Sequence, residues 1–246
     1  MLPLLRVPGS FKVMTCVEIA AQAAEDAIVA GAAGAHRLEL CSALVLHGLT
    51  PSVGLVRTVR ASTRLPIMAM VRPREGGFAY SESEFHAMEA DVEAVLSAGA
   101  DGVVTGLLHE DGRVDERRCR ALIARANGRP VVFHRAFDGT PDPFEAMEML
   151  IGLGFTRILT AGGTSTAMEG ADRIRSLVEQ ARERIEILAG GGIRASNVRR
   201  LVGRTGVGQV HLAPREPCLD PTGLHFGGYD RISAAAVAEV VAAINS

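Results

Sequence analysis

Short runs of apolar, largely β-branched residues alternate along the chain with longer stretches rich in Ala, Glu and Arg, and Gly, Pro or polar residues separate the two. The apolar runs predict strands over residues 13–17, 37–41, 67–71, 102–105, 131–134, 157–160, 185–189 and 209–212. Their starts lie about 30 residues apart, the length of a βαβ unit. Eight such units close naturally into an α/β fold of the (β/α)8 TIM-barrel type, and about 250 residues is the usual size of one such domain. The whole chain, 1–246, is therefore read as a single domain. A doubly wound open sheet is the alternative; it needs fewer strands and usually a GxGxxG turn after the first, which is missing here.

The helix boundaries carry local signals. Thr50–Pro51 and Thr140–Pro141 place a capping hydroxyl before a proline. Ser81 and Glu84 have capping-box spacing, and Ser233 is placed to cap the last helix. Gly31 and Gly34, Gly99, and Gly152 and Gly154 read as helix ends. The stretch 214–229, rich in Pro and Gly, is expected to be a long loop over the barrel mouth.

Composition narrows the function classes. Apolar residues make up 48% and charged residues 22%, and 26 basic against 28 acidic residues give a net charge of −2. No basic cluster suggests nucleic acid or a membrane surface as partner. No apolar run is long enough for a spanning helix, and the first eleven residues lack a signal-peptide core, so a cytoplasmic location is expected. Cys16, Cys41, Cys119 and Cys218 contain no CxxC pair and are read as free thiols. Nothing in the sequence calls for an organic cofactor.

Strand alternation then selects the inward-facing residues. One face of the first strand carries Met14, Cys16 and Glu18. In the second, Arg37, Glu39 and Cys41 share a face opposite Leu38 and Leu40, and the apolar face must meet the helices. Met68, Met70 and Arg72, then Val132 and His134, then Gln209 and His211, line the interior further round. Two readings of this polar interior are open: a structural ion-pair network, or a pocket at the strand ends where barrel enzymes keep their sites. In the pocket reading Glu39, His134, Asp138 and His211 are the candidate acid–base groups. Glycine-rich turns after the sixth and seventh strands, with Thr160, Gly162 and Gly163, and with Gly190, Gly191 and Gly192, offer backbone N–H groups to an anion. Arg72, Arg74 and Arg135 are candidates to add charge.

Several motifs together resemble the CutC family of copper homeostasis proteins: Arg37-Leu38-Glu39-Leu40-Cys41-Ser42, Gly48-Leu49-Thr50-Pro51-Ser52, Val71-Arg72-Pro73-Arg74, Phe133-His134-Arg135-Ala136-Phe137-Asp138, Leu159-Thr160 and Ala189-Gly190-Gly191-Gly192. The resemblance spans nearly the whole chain. It implies a barrel, a homo-oligomer such as a dimer or tetramer, and copper binding. Carried over by position, the family's copper-binding cysteines fall on Cys16 and Cys41. If their registers match on neighbouring strands, two thiolates suit Cu(I), a soft ion. The chain departs from the family pattern at Met14, Glu18, Glu75, Gly77 and Leu212, where relatives carry glutamate, aspartate, glycine, aspartate and serine.

Three functions follow as expectations. One is a copper homeostasis protein binding Cu(I) through Cys16 and Cys41. Another is an enzyme acting on a small anionic molecule, phosphorylated or sugar-derived, at the strand ends. The third is a non-catalytic scaffold, for which no partner groove is visible on the helices 84–96 and 115–126.

Overall fold

The computed structural model describes residues 15–219, 222 and 227–245. Eight parallel strands close into a barrel in sequence order: β1 (Cys16–Ala21), β2 (Arg37–Leu40), β3 (Ile67–Met70), β4 (Gly102–Thr105), β5 (Val131–Phe133), β6 (Arg157–Thr160), β7 (Glu186–Gly190) and β8 (Gln209–Leu212), with β8 pairing back onto β1. Helices α1 (Ala24–Ala32), α2 (Val53–Ser62), α3 (Glu82–Ser97), α4 (Glu116–Ala126), α5 (Pro143–Leu153), α6 (Ala171–Ala181), α7 (Ala195–Thr205) and α8 (Ala234–Asn245) follow their strands. This is the expected (β/α)8 architecture. Among the described residues no helix is long and apolar enough to cross a membrane.

Most of the apolar core lies between barrel and helices, where Leu38, Leu40, Ile67, Val103, Phe133 and Ile158 meet helix residues such as Val56, Met88, Leu122 and Met147. A smaller cluster of Cys41, Met68, Met70, Val104 and Val132 fills part of the barrel interior. Arg37, Glu39 and Cys41 do face inward, because their register partners on β1 and β3 share that face.

Several boundaries move. The first strand begins at Cys16, three residues later than expected, and Met14 lies outside the described residues. The cap of α2 is Ser52, whose hydroxyl accepts from Leu55 N, not Thr50. Thr50 instead bonds with the backbone of Arg72 and ties the loop after β2 to the end of β3. Likewise Asp142, with Pro143 at the first helical position, caps α5 in place of Thr140–Pro141. In each case a second capping residue stood two positions further on. The Ser81–Glu84 capping box forms as expected. The stretch after β8 is partly ordered as an antiparallel ribbon of β9 (Arg215–Cys218) and β10 (Tyr229–Ile232); residues 220, 221 and 223–226 lie outside the described residues.

Candidate functional site

At the seam joining β8, β1 and β2, Glu18 lies level with His211 on one side and Arg37 on the other. Residues level with one another on parallel neighbours point to the same face, so the three side chains meet inside the barrel. Glu18 Oε1 lies 2.8 Å from His211 Nδ1, and Glu18 Oε2 accepts from Arg37 Nε. Arg37 Nη2 also donates to Gln209 Oε1 at 2.7 Å. Burial alone would raise the pKa of Glu18, but the His211 hydrogen bond and the Arg37 and His211 charges outweigh it and hold the carboxyl at about 2. His211 moves the other way from burial: its two carboxylate neighbours, Glu39 and Glu18, raise its pKa above the ordinary value.

Glu39 sits two residues higher, level with Ala20 and Met68. Its Oε2 is shut off from solvent with no hydrogen-bond partner. Burial pushes its pKa up to about 7, with the His211 charge opposing and the Glu18 charge adding. Glu18, Glu39 and His211 each offer a ligand atom, and these atoms lie within 4.8 Å of one another.

His134 follows β5 and caps the short turn Arg135–Gly139. Its Nδ1 accepts from Ala136 N at 3.1 Å. A ring nitrogen that accepts carries no proton, so in the neutral ring the proton is on Nε2. Burial, helped by the Arg72 charge, lowers the pKa to about 3 and keeps the ring neutral. Gly106 makes room for it, since a methyl there would stand 2.5 Å from the imidazole. Arg72 is held by three carbonyls: Nη1 donates to Leu46 O and Gly48 O at 2.8 and 3.0 Å, and Nη2 to Gly76 O at 2.9 Å.

These groups share a cavity of about 930 Å³ at the C-terminal ends of the strands. Glu39, Met70, Arg72, Phe78, His134 and His211 line it together with Gly191, Gly192 and Arg194 of the β7–α7 turn, Arg215 of β9 and Glu239 of α8. Arg72, Arg135, Arg194 and Arg215 line it with two carboxyls, Glu39 and Glu239; Arg135 is paired with Asp138 and Arg215 lies 3.4 Å from Asp230, so Arg72 and Arg194 contribute most of the field that favours an anion. Gly191 and Gly192 adopt φ of 108° and 66°, conformations natural to glycine. The turn leads into the N-terminus of α7, where helix N–H groups and Arg194 add to that field.

Other expected residues play different parts. The nest after β6 does hold an anion, but it is the protein's own: Asp138 accepts from Thr160 Oγ1 at 2.5 Å, Ala161 N at 3.1 Å and Gly163 N at 2.9 Å. Thr160 also takes Gly162 N at 2.8 Å, so Thr160, Gly162 and Gly163 are not open to a ligand. Asp138 further pairs with Arg135 Nε at 2.8 Å and makes no bond to His134. Arg74 turns to Glu84 at 2.5 Å and to the carbonyls of Glu75, Gly77 and Ala79, away from the cavity. Gly190 is a packing residue, since a methyl there would stand 2.6 Å from Leu159 Cδ1.

The cysteine pair does not form. With Glu18 level with Arg37, Cys16 falls level with residue 35 and Cys41 with residue 22. Six residues of offset at about 3.3 Å each put them about 20 Å apart along the barrel. Two ligands of one copper ion cannot be that distant, so a shared two-cysteine site does not fit this chain. Cys41 Sγ donates to Ala21 O at 3.6 Å, and burial, then the Glu39 charge, push its thiol pKa up. Burial raises that of Cys16 as well. The Glu18, Glu39 and His211 donors are oxygens and a nitrogen, harder than Cu(I) prefers.

Two cavity residues, Arg194 and Arg215, were missed in the sequence, and two interior ones, Glu18 and Arg37, were given no partners. Alternation placed Glu18 and Arg37 inside, but their partnership with His211 and Gln209 depends on closure of β8 onto β1. Arg194 and Arg215 carried no signal, as each is an isolated arginine beside a turn.

A model of the CutC family matches residues 15–215. A Treponema denticola family protein CutC is 46% identical over 240 residues, covering 94% of this chain and 98% of that protein. A human copper homeostasis protein cutC homolog is 43% identical over 199 residues, covering 81% of this chain and 73% of that protein. The crystal structure of CutC from Streptococcus agalactiae superposes with a TM-score of 0.77 at 35% identity, covering 80% of this chain and 98% of that one.

Proposed function

The chain belongs to the CutC family, and on that premise we propose that it is an enzyme performing acid–base chemistry on a small anionic molecule at the barrel mouth. Glu39 carries this reading: a buried carboxyl with an unpartnered oxygen, poised at about 7, in a cavity with a basic rim. A carboxyl titrating near the working pH both takes and returns a proton. His211, bonded to Glu18 on its other flank, balances the charge of Glu39 when that carboxyl ionises. Neutral His134 supplies a donor that does not titrate near neutrality. The Gly191–Gly192 turn, the α7 N-terminus, Arg72 and Arg194 supply most of the field that holds the anion, and Arg215 adds to it.

A second reading is favoured by one observation, the three sulfur residues Cys41, Met68 and Met70 in a single interior cluster. Copper would then be cargo, held as Cu(I) by one thiolate and two thioethers. One set of measurements separates the two. Crystals soaked in phosphate should show an anion beside Gly192, Arg194 and Arg215, and Arg194→Ala with Arg215→Ala should abolish it. Anaerobic Cu(I) titration against a chelator should show no tight site. An empty cavity together with tight copper binding lost in Cys41→Ser, but kept in Cys16→Ser, would reverse the order of the two readings.

A further inference from the structure

Two donors of the cavity residues have no acceptor within hydrogen-bond distance: Nε2–H of His134, and Nε–H of Arg72, whose guanidinium also has the buried Tyr80 hydroxyl beside it. Both residues are 4% exposed. Both pack on one ring, with the His134 centroid 4.8 Å from that of Phe78 and the Arg72 guanidinium carbon 5.4 Å from it. Buried donors are nearly always paired, because an unmade bond forfeits hydration without return. Two such donors against one cavity ring mark a place for an acceptor that arrives with a ligand.

The remaining polar atoms of both side chains are already committed. Ala136 N fixes the His134 ring through Nδ1, and Leu46, Gly48 and Gly76 fix the Arg72 guanidinium. Each donor is therefore aimed before anything binds, which is the condition for stabilising charge that develops during a reaction. Arginine does not give up its proton, and His134 is neutral, so the pair stabilises an oxygen without competing for the proton that Glu39 moves.

We infer that His134 Nε2–H and Arg72 Nε–H form an oxyanion site for a carbonyl oxygen, and that the anionic molecule taken by this cavity carries an aldehyde or ketone. The inference rests on the acid–base reading of Glu39. The carboxylate of Glu39 takes a proton from the carbon next to the carbonyl. The C–H electron pair becomes the new carbon–carbon double bond, and the carbonyl π pair moves onto the oxygen, where the two donors hold it. Return of the proton to the opposite face of the same carbon completes an epimerisation; where that carbon also bears a hydroxyl, transfer of the hydroxyl proton to the former carbonyl oxygen and return of the abstracted proton to the former carbonyl carbon complete an isomerisation. No oxidant or reductant is consumed. Phe78, half-buried at the cavity, packs against both side chains.

The test uses two probes that differ only at this group, dihydroxyacetone phosphate and glycerol 3-phosphate, with 15N-histidine-labelled full-length protein. The free protein should show His134 as the neutral Nε2–H form at pH 5. The ketone should bind about tenfold or more tighter than the alcohol, as expected for bonds to a charged and a neutral donor, and only the ketone should shift the Nε2–H resonance. His134→Leu should erase the preference and His134→Gln, which keeps a donor, should restore part of it. Equal binding with no shift overturns the oxyanion site and leaves the acid–base reading standing. Binding of neither probe overturns both. A proton found on Nδ1 in the free protein overturns the inference alone.

Discussion

Glu39 holds its proton more tightly in the folded chain than in the unfolded one, since its pKa rises from 4.5 to about 7. Its contribution to stability is complete below pH 4.5 and is lost as pH rises through about 7, where folding forces a charge into a buried site. Glu39→Gln keeps the shape without that charge. It is therefore expected to be more stable than the parent by about 2–3 kcal/mol at pH 8 and equal to it at pH 4, while activity falls at every pH. Urea titrations at the two pH values check this; a parent that is as stable as the variant at pH 8 would mean that Glu39 is solvated. Residues of this kind were legible from alternation alone: Glu39, His134 and His211 sit where a period of two puts them. Glu18 shows what alternation misses. It shared the inward face on paper, yet its partner is 193 positions away, and only ring closure brings them together.

At the level of elements, the turn after β6 is rigid because Asp138 fills it. One carboxylate gathers a hydroxyl, two backbone amides and the Arg135 guanidinium from two consecutive βα loops. Asp138→Ala should cost about 2–4 kcal/mol, as expected for several lost charge-assisted bonds that leave buried donors unpaired. Part of the loss should return on adding formate, whose carboxylate can enter the vacated nest. Thermal unfolding with formate against chloride at equal ionic strength measures it, and no difference between the salts would remove the nest from the account. The glycine-rich sequence suggested a turn open to an anionic ligand, and the structure instead shows its donors taken by Asp138 and Thr160. Its own aspartate, 22 residues before Thr160, was the occupant, and spacing along a chain does not show which loop leans over which. The helix caps failed for a local reason. Thr50 and Thr140 were plausible caps, but Ser52 and Asp142, two positions further on, stand directly before the first helical residue, where their side-chain oxygens reach the first-turn N–H groups.

For the molecule as a whole, a closed ring turns eight separate strands into one chemical environment, and this was the part most legible in the sequence: the repeating unit was visible, and closure follows from repeating it. Register was not, because a slip of two residues, or any even number, between neighbours keeps the same face inward. That is why the cysteine pair looked plausible and lies about 20 Å apart.

The Glu18–His211 contact has a consequence for how the protein is made. The ribosome delivers β1 and β2 well before β8, so while the intervening strands are made Glu18 and Arg37 wait without His211 and Gln209. A nascent chain halted before residue 209 should stay sensitive to protease, and one that has emerged through residue 245 should become resistant. His211→Leu in the released chain should leave the amino-terminal strand open to cutting. Protection gained before residue 209 emerges would mean that the ring does not wait for its final strand. If it does wait, His211, which lines the mouth, is also the latch that closes the ring onto Glu18.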